Sequence, residues 1–386
     1  MAKVTLGEVS IESRETCKGD KSSFPAVGLE HITPEEIRLS HWDNGSDNTF
    51  TKRFHEGDIL FGRRRAYLKK AAIAPFEGIC SGDITVIRAI PDKIEPRLLP
   101  LIIQNDDFFD YAVGRSAGSL SPRVKWEHLK NYEFDLPEMN KQHELADVLW
   151  SIEDTRTAYQ ELATATEELV KSRFIEMFGD LTTSDTDKNC FSLQDLLDKK
   201  WITYHLDGNH GGDYPRSHEF IPDGVPYISA NCIVNDKIDF SRGKYVSEER
   251  AARFRKGVAR DQDVLFAHNA TVGPVVVLKT DYPKVILGTS LTSYRCDENH
   301  IVPEYLKAYM EQPVFIQQYE ADMRQSTRNQ VPITKQRKYF FIIPTLEQQK
   351  EFSAFVQLAD KSKSVLQQSI DNIQKLKAAL IREYLI

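Results

Sequence analysis

Two pairs of loops carry the side chains best suited to chemistry. Gly62-Arg63-Arg64-Arg65-Ala66-Tyr67 follows the run Asp58-Ile59-Leu60-Phe61, and Ala267-His268-Asn269-Ala270-Thr271 follows Asp263-Val264-Leu265-Phe266. A second pair precedes the last β-like run of each half. It comprises Arg115-Ser116-Ala117-Gly118-Ser119-Leu120-Ser121-Pro122-Arg123, with Lys125 just beyond, and Arg324-Gln325-Ser326-Thr327-Arg328-Asn329-Gln330. Guanidinium groups offer two donors to guanine, Asn and Gln amides match adenine, and hydroxyls serve either base. The chemistry within reach is therefore hydrogen bonding to base edges and phosphates of DNA. Candidate contacts in the first half are Arg63, Arg64, Arg65, Tyr67, Ser119, Ser121, Arg123 and Lys125. In the second they are Arg255, Lys256, His268, Asn269, Thr271, Arg324, Ser326, Thr327, Arg328, Asn329 and Gln330. Ser, Gly and Asn also build ordinary turns, so turn chemistry remains the alternative for any single position.

Bond-making chemistry is not indicated. The 386 residues contain no GxxxxGK[ST], GxGxxG or HExxH pattern, and no Asn-Pro-Pro or Asp-Pro-Pro run of the amino-methyltransferase type. His205, His210 and His218 lie near Asp207 and Asp213, but Gly208, Gly211, Gly212 and Pro215 among them favour a polar loop over a metal site. Five scattered cysteines (Cys17, Cys80, Cys190, Cys232, Cys296) lack CxxC spacing, so neither a disulfide framework nor a zinc site is expected, and a reducing cytoplasm is. No signal peptide is expected, and no apolar run is long enough to span a bilayer. The net charge of −7 hides segregation. Residues 138–178 hold nine acids against four bases, whereas Lys52–Lys70 and Arg242–Arg260 each hold seven bases against two acids. Basic segments recurring at comparable places are the footprint of phosphate contact; solvated surface charge is the plainer alternative.

The elements that position these loops occur twice. Ile79–Arg88 (ICSGDITVIR) aligns with Ile286–Arg295 (ILGTSLTSYR) at an offset of 207 residues, which also joins Pro96 to Pro303, Tyr132 to Tyr339, Pro137 to Pro344 and Gln142 to Gln349. Upstream the offset is 205, as from Asp58 to Asp263. Self-similarity of this extent indicates tandem duplication. Each half begins with short β-branched and aromatic runs set between Gly, Pro, Asn and Asp, among them Ile84–Ile87, Val275–Leu278 and Tyr339–Ile343. Each ends in roughly 40 proline-free residues, Glu138–Phe178 and Thr345–Ile386, predicted to be long helices. Leu145, Ile152 and Tyr159 are seven apart, flanked by Leu162 and Leu169, and Phe352, Ala359, Leu366, Ile373 and Leu380 form a second heptad spine. That spacing predicts an antiparallel coiled-coil seam about 60 Å long. The fold class is α/β (α+β): a duplicated mixed globule, each copy followed by a long helix, with pseudo-two-fold symmetry. Two surface helices packed on their own domains would be the alternative.

These features resemble the specificity (S) subunits of type I restriction-modification enzymes. The resemblance rests on the EGDILF and DQDVLF strands, the segments GSLSPRVKWEHLKNYEFDLP and STRNQVPITKQRKYFFIIP, and the Leu-Pro or Ile-Pro step into a Gln-containing helix. It implies target-recognition domains at 1–137 and 181–344, each reading half of a split DNA sequence, with helices at 138–180 and 345–386 as a spacer ruler. It further implies no catalysis by this chain and no cofactor bound to it. Two methyltransferase (M) subunits would bind S-adenosylmethionine, and restriction (R) subunits would use ATP and Mg²⁺. Other classes compatible with the residues are a coiled-coil scaffold without specific DNA reading and a self-contained DNA-modifying enzyme.

Overall fold

The computed structural model describes residues 2–44, 48–179, 189–209, 211–324 and 329–385. The chain divides into two compact units, Met1–Leu162 with Leu366–Ile386, and Ala163–Val365. In the first unit Ser10–Ser13, Ile84–Ala89, Ile59–Gly62 and Ala71–Ile73 lie in that order in an antiparallel sheet. A second four-stranded sheet orders Asp43–Asn44, Pro25–Val27, Gly78–Cys80 and Lys52–Phe54, with one parallel pairing. In the second unit Ile202–Asp207, Leu291–Cys296, Val264–Ala267 and Val275–Val277 repeat the first sheet. The register repeats as well: Ile59 faces Ile87, and Val264 faces Tyr294 at the duplicated positions. The strands expected at Ile84–Ile87, Val275–Leu278 and Tyr339–Ile343 are present as Ile84–Ala89, Val275–Val277 and Phe340–Ile342.

A buried carboxylate anchors each sheet. Asp58, which opens the Asp-Ile-Leu-Phe run, accepts two hydrogen bonds from Arg88 at 2.7 and 2.8 Å, and Asp263 accepts the same pair from Arg295 at 2.8 and 2.7 Å. Both aspartates also cap the turn before their strand, accepting from the His55 and Arg260 backbone N–H groups. These are charge-assisted, bidentate contacts to buried carboxylates, which makes them strong and geometrically exacting.

Two helices of 40 residues follow, α1 (Met139–Phe178) and α2 (Leu346–Leu385). Gly179 ends α1 with a left-handed φ of 79°, the conformation a helix stop favours. Thr345 and Gln348 cap the start of α2 reciprocally. Gln142 and Gln349 explain the repeated Gln in the entry motif. Gln142 accepts from the Glu95 N–H at 2.9 Å and donates to the Pro137 carbonyl; Gln349 does the same with Val302 and Pro344. Both side chains are buried, so each helix start is clamped to its own domain.

Within each unit the helix segments run antiparallel. In the first, Glu153 pairs with Lys377 and Lys141 lies over the Tyr384 ring. In the second, Glu167 pairs with Lys363 at 2.7 Å and Arg173 with Glu351 at 2.8 Å. Leu145, Phe352 and Leu366 are buried as the heptads require, and Ile152, Tyr159, Ile373 and Leu380 are half-buried. The seam departs from expectation at Leu162 and Leu169, which are 51% and 55% exposed. On α1 the buried positions include Glu153 and Arg156, satisfied by Lys377, by each other and by Glu36.

Candidate nucleic-acid interface

The two loops singled out in each half, far apart in sequence, meet in space. In the first unit Arg64 bridges to Arg123: the Arg65 N–H donates to the Pro122 carbonyl at 2.8 Å and the Val124 N–H to the Arg63 carbonyl at 2.9 Å. In the second Asn269 bridges to Gln330, with the Ala270 N–H on the Asn329 carbonyl at 3.0 Å and the Val331 N–H on the His268 carbonyl at 2.8 Å. Arg65 (φ 56°) and Ala270 (φ 66°) stand at equivalent positions, and both are left-handed. A side chain there costs about 1–2 kcal/mol, and the flanking backbone bonds hold it in place. Loop pairing is thus a property of the duplicated frame.

The side chains on that frame differ. In the first unit Asp83 accepts from Arg123 at 2.8 Å and from Arg64 at 3.4 Å, while Arg64 also donates to the Ser121 hydroxyl at 2.5 Å. The Arg123 guanidinium holds the Asp83 carboxyl below the usual carboxylate range. Arg63 is half-buried, its Nε enclosed without a partner. Arg65, Tyr67, Ser119 and Lys125 face solvent, and Arg65 has no carboxylate partner among the described residues. Sequence reasoning missed Asp83, although it stands opposite Ser290 in the aligned repeat and faces an arginine-rich loop.

In the second unit Asn269 is half-buried, Thr271 and Asn329 are exposed, and the Asn329 amide donates to the Ala270 carbonyl at 2.6 Å. His268 is not available to a base: it is 3% exposed and turns inward to the Thr292 hydroxyl at 2.8 Å. Beneath it, Gln336 joins Thr292, the Tyr294 hydroxyl (2.6 Å) and His205 (3.2 Å). Burial pushes His205 down to about 4, so this ring is neutral and structural. Among the described residues no cluster of three His, Cys, Asp or Glu could hold a metal ion; His210 lies outside them. Ser326, Thr327 and Arg328 also lie outside the described residues.

The basic segments are less available than their composition suggests. Lys52 and Lys70 donate inward to the Ile84 and Leu29 carbonyls, Lys69 pairs with Asp106, and Arg250 pairs with Glu219. Lys256, expected to meet phosphate, pairs with Asp207 at 2.9 Å. Arg255 faces solvent, and Arg324 is exposed, with a 3.7 Å contact to Glu320 among the described residues.

Residues 2–166 match a family described as the type I restriction modification DNA specificity domain. The chain is 29% identical over 133 residues to the type I restriction enzyme EcoDI specificity subunit of Escherichia coli, covering 32% of this chain and 29% of that protein's length. A crystal structure of a type I restriction-modification S subunit from M. genitalium is similar over 100% of this chain and 96% of its own, with a TM-score of 0.58 at 12% identity. A structure concerned with complex assembly and conformational transition of a type I system gives 0.54 at 19% identity, covering 99% and 97%. At these identities the two structures speak for the fold. No helix among the described residues is long and apolar enough to cross a membrane.

Proposed function

We propose, from the match of residues 2–166 to the type I restriction modification DNA specificity domain and from a fold like that of a type I S subunit, that this chain selects the DNA sequence on which such an enzyme acts. Each unit reads one half of a split target through its paired loops, and the helix pair sets the unread spacer. The chain docks two methyltransferase subunits and, through them, restriction subunits. S-adenosylmethionine, ATP and Mg²⁺ act on those partners, and this chain contributes recognition alone, in the cytoplasm.

The observation that carries the proposal is the repeated loop pairing: one backbone geometry in both units, presenting Arg65 in the first and Asn329 with Gln330 in the second. Constant backbone with variable polar tips is what two heads reading different half-sites require. Arg64 and Arg123, engaged with Asp83, are assigned to shaping the loop, and Arg65 to base contact. Exchanging residues 1–137 for the matching domain of a relative, followed by sequencing of methylated adenines, tests this directly. One half of the methylated sequence should change while the other half and the spacer stay fixed. If both halves change together, independent heads are ruled out.

A further inference from the structure

Leu120 is 91% exposed, the most exposed large apolar side chain among the described residues. It stands at the tip of the loop between Ala117 and Arg123, which bridge antiparallel through hydrogen bonds of 3.0 and 2.9 Å. Gly118 reverses the chain at φ 116°, a conformation side-chain-bearing residues rarely adopt. Arg64 ties Ser121, the next residue, to the floor of the loop, and Asp83 holds Arg64 and Arg123 together. The tip is therefore braced, and an apolar side chain is presented to water on a fixed support. Around it in sequence and through these bonds stand Arg64, Arg65, Arg115, Arg123 and Lys125. An apolar tip with the exposed cations Arg115 and Lys125 close to it in sequence complements a polyanion with an aromatic interior.

We propose that Leu120 is a wedge that enters the base stack of the first half-site while the exposed Arg115 and Lys125 grip the phosphates. Apolar side chains inserted between base pairs unstack one step and kink the duplex, and a partly opened step lowers the cost of extracting a base for chemistry. The wedge rests on the recognition role proposed above. It assigns to the first unit a task of deforming DNA, beyond hydrogen-bond readout.

The test uses the chain assembled with its methyltransferase subunits and duplexes carrying the target mapped from methylated adenines, with 2-aminopurine placed in turn at each position of the first half-site. Binding should brighten one position several-fold. Leu120→Ala should return that signal to the level of free duplex and weaken binding to the target about 10-fold, with binding to an unrelated duplex unchanged. Leu120→Met, which keeps an apolar tip, should retain both. The wedge is overturned if Leu120→Ala matches the wild type in fluorescence and affinity. It is equally overturned if that variant impairs assembly with methyltransferase subunits in the absence of DNA while the fluorescence response persists, since Leu120 would then be a protein contact. A wild-type complex with no preference for the mapped duplex over an unrelated one would instead remove the recognition role itself.

Discussion

Beneath their paired loops the two units are built differently on the same strands. In the second, Gln336 gathers Thr292, Tyr294 and His205 into a buried network, and His268 closes it from the loop side. In the first, the duplicated positions hold Leu129 in place of Gln336, Ile87 in place of Tyr294 and Arg63 in place of His268, and both Thr85 Oγ1 and Arg63 Nε are enclosed without partners. The first loop is braced from the side instead, by Asp83 on Arg64 and Arg123. Backbone bridges between loops survive this change unaltered. The geometry of each loop pair is thus carried by main-chain pairing, which leaves floor and tip side chains free to differ.

The shared frame is the part most costly to break. Replacing Asp263 by Ala leaves Arg295 partly buried with the Val258 carbonyl and the Tyr204 ring but no carboxylate, whereas Asp58→Ala leaves Arg88 its second carboxylate, Glu15, at 2.7 Å. Breaking a buried pair costs about 3–5 kcal/mol. Denaturant melts should place Asp263→Ala near the upper end and Asp58→Ala near the lower. Equal losses would mean that Glu15 does not compensate.

Acid should separate the units next. His205 falls from its ordinary 6.5 to about 4 in the folded protein because burial disfavours the cation. Between those values the unfolded chain binds more protons, so its contribution is complete above pH 6.5 and is lost as pH falls towards 4. The loss is about 3 kcal/mol. Hydrogen exchange over this range should show the edge strand Ile202–Asp207 opening first, and His205→Phe should flatten the dependence. Giving the second unit the first unit's floor is a milder version of the same experiment. Gln336→Leu strands the Tyr294 hydroxyl and His205, each worth about 1–3 kcal/mol when buried unpaired. Its melting temperature should fall while the methylated sequence stays the same; a changed sequence would make the floor part of the reading surface.

The smallest effects should appear at the tips. Arg65→Ala should relax selectivity in the first half-site alone and Asn329→Ala in the second alone, each by about 1–3 kcal/mol of discrimination. Methylated-adenine sequencing reads both. In binding at several salt concentrations, Arg255→Ala should lower the salt slope by about one unit, and Lys256→Ala, whose ammonium already pairs with Asp207, should lower it less.

Much of this was legible in the residue order. Proline-free heptads foretold α1 and α2 to within a residue or two at each end, and the aligned Asp58/Asp263 and Gln142/Gln349 foretold duplicated elements. The seam was less legible. Counting heptads selects Leu162 and Leu169 because they are apolar, yet Glu153 and Arg156 are the buried ones, since Lys377 and Glu36 neutralise them.

By itself the sequence determined the strands, the helices, their duplication and the loops rich in polar and cationic side chains, because these follow from period, turn residues and repetition along the chain. Tertiary structure alone decided which members of those loops are free to act. Arg64 is held and Arg65 is not, because Asp83 reaches the first; His268 is lost to the core, because Thr292 lies beneath it. Availability depends on partners distant in sequence, and a buried carboxylate or hydroxyl outcompetes water for a nearby polar group wherever the fold brings the two together.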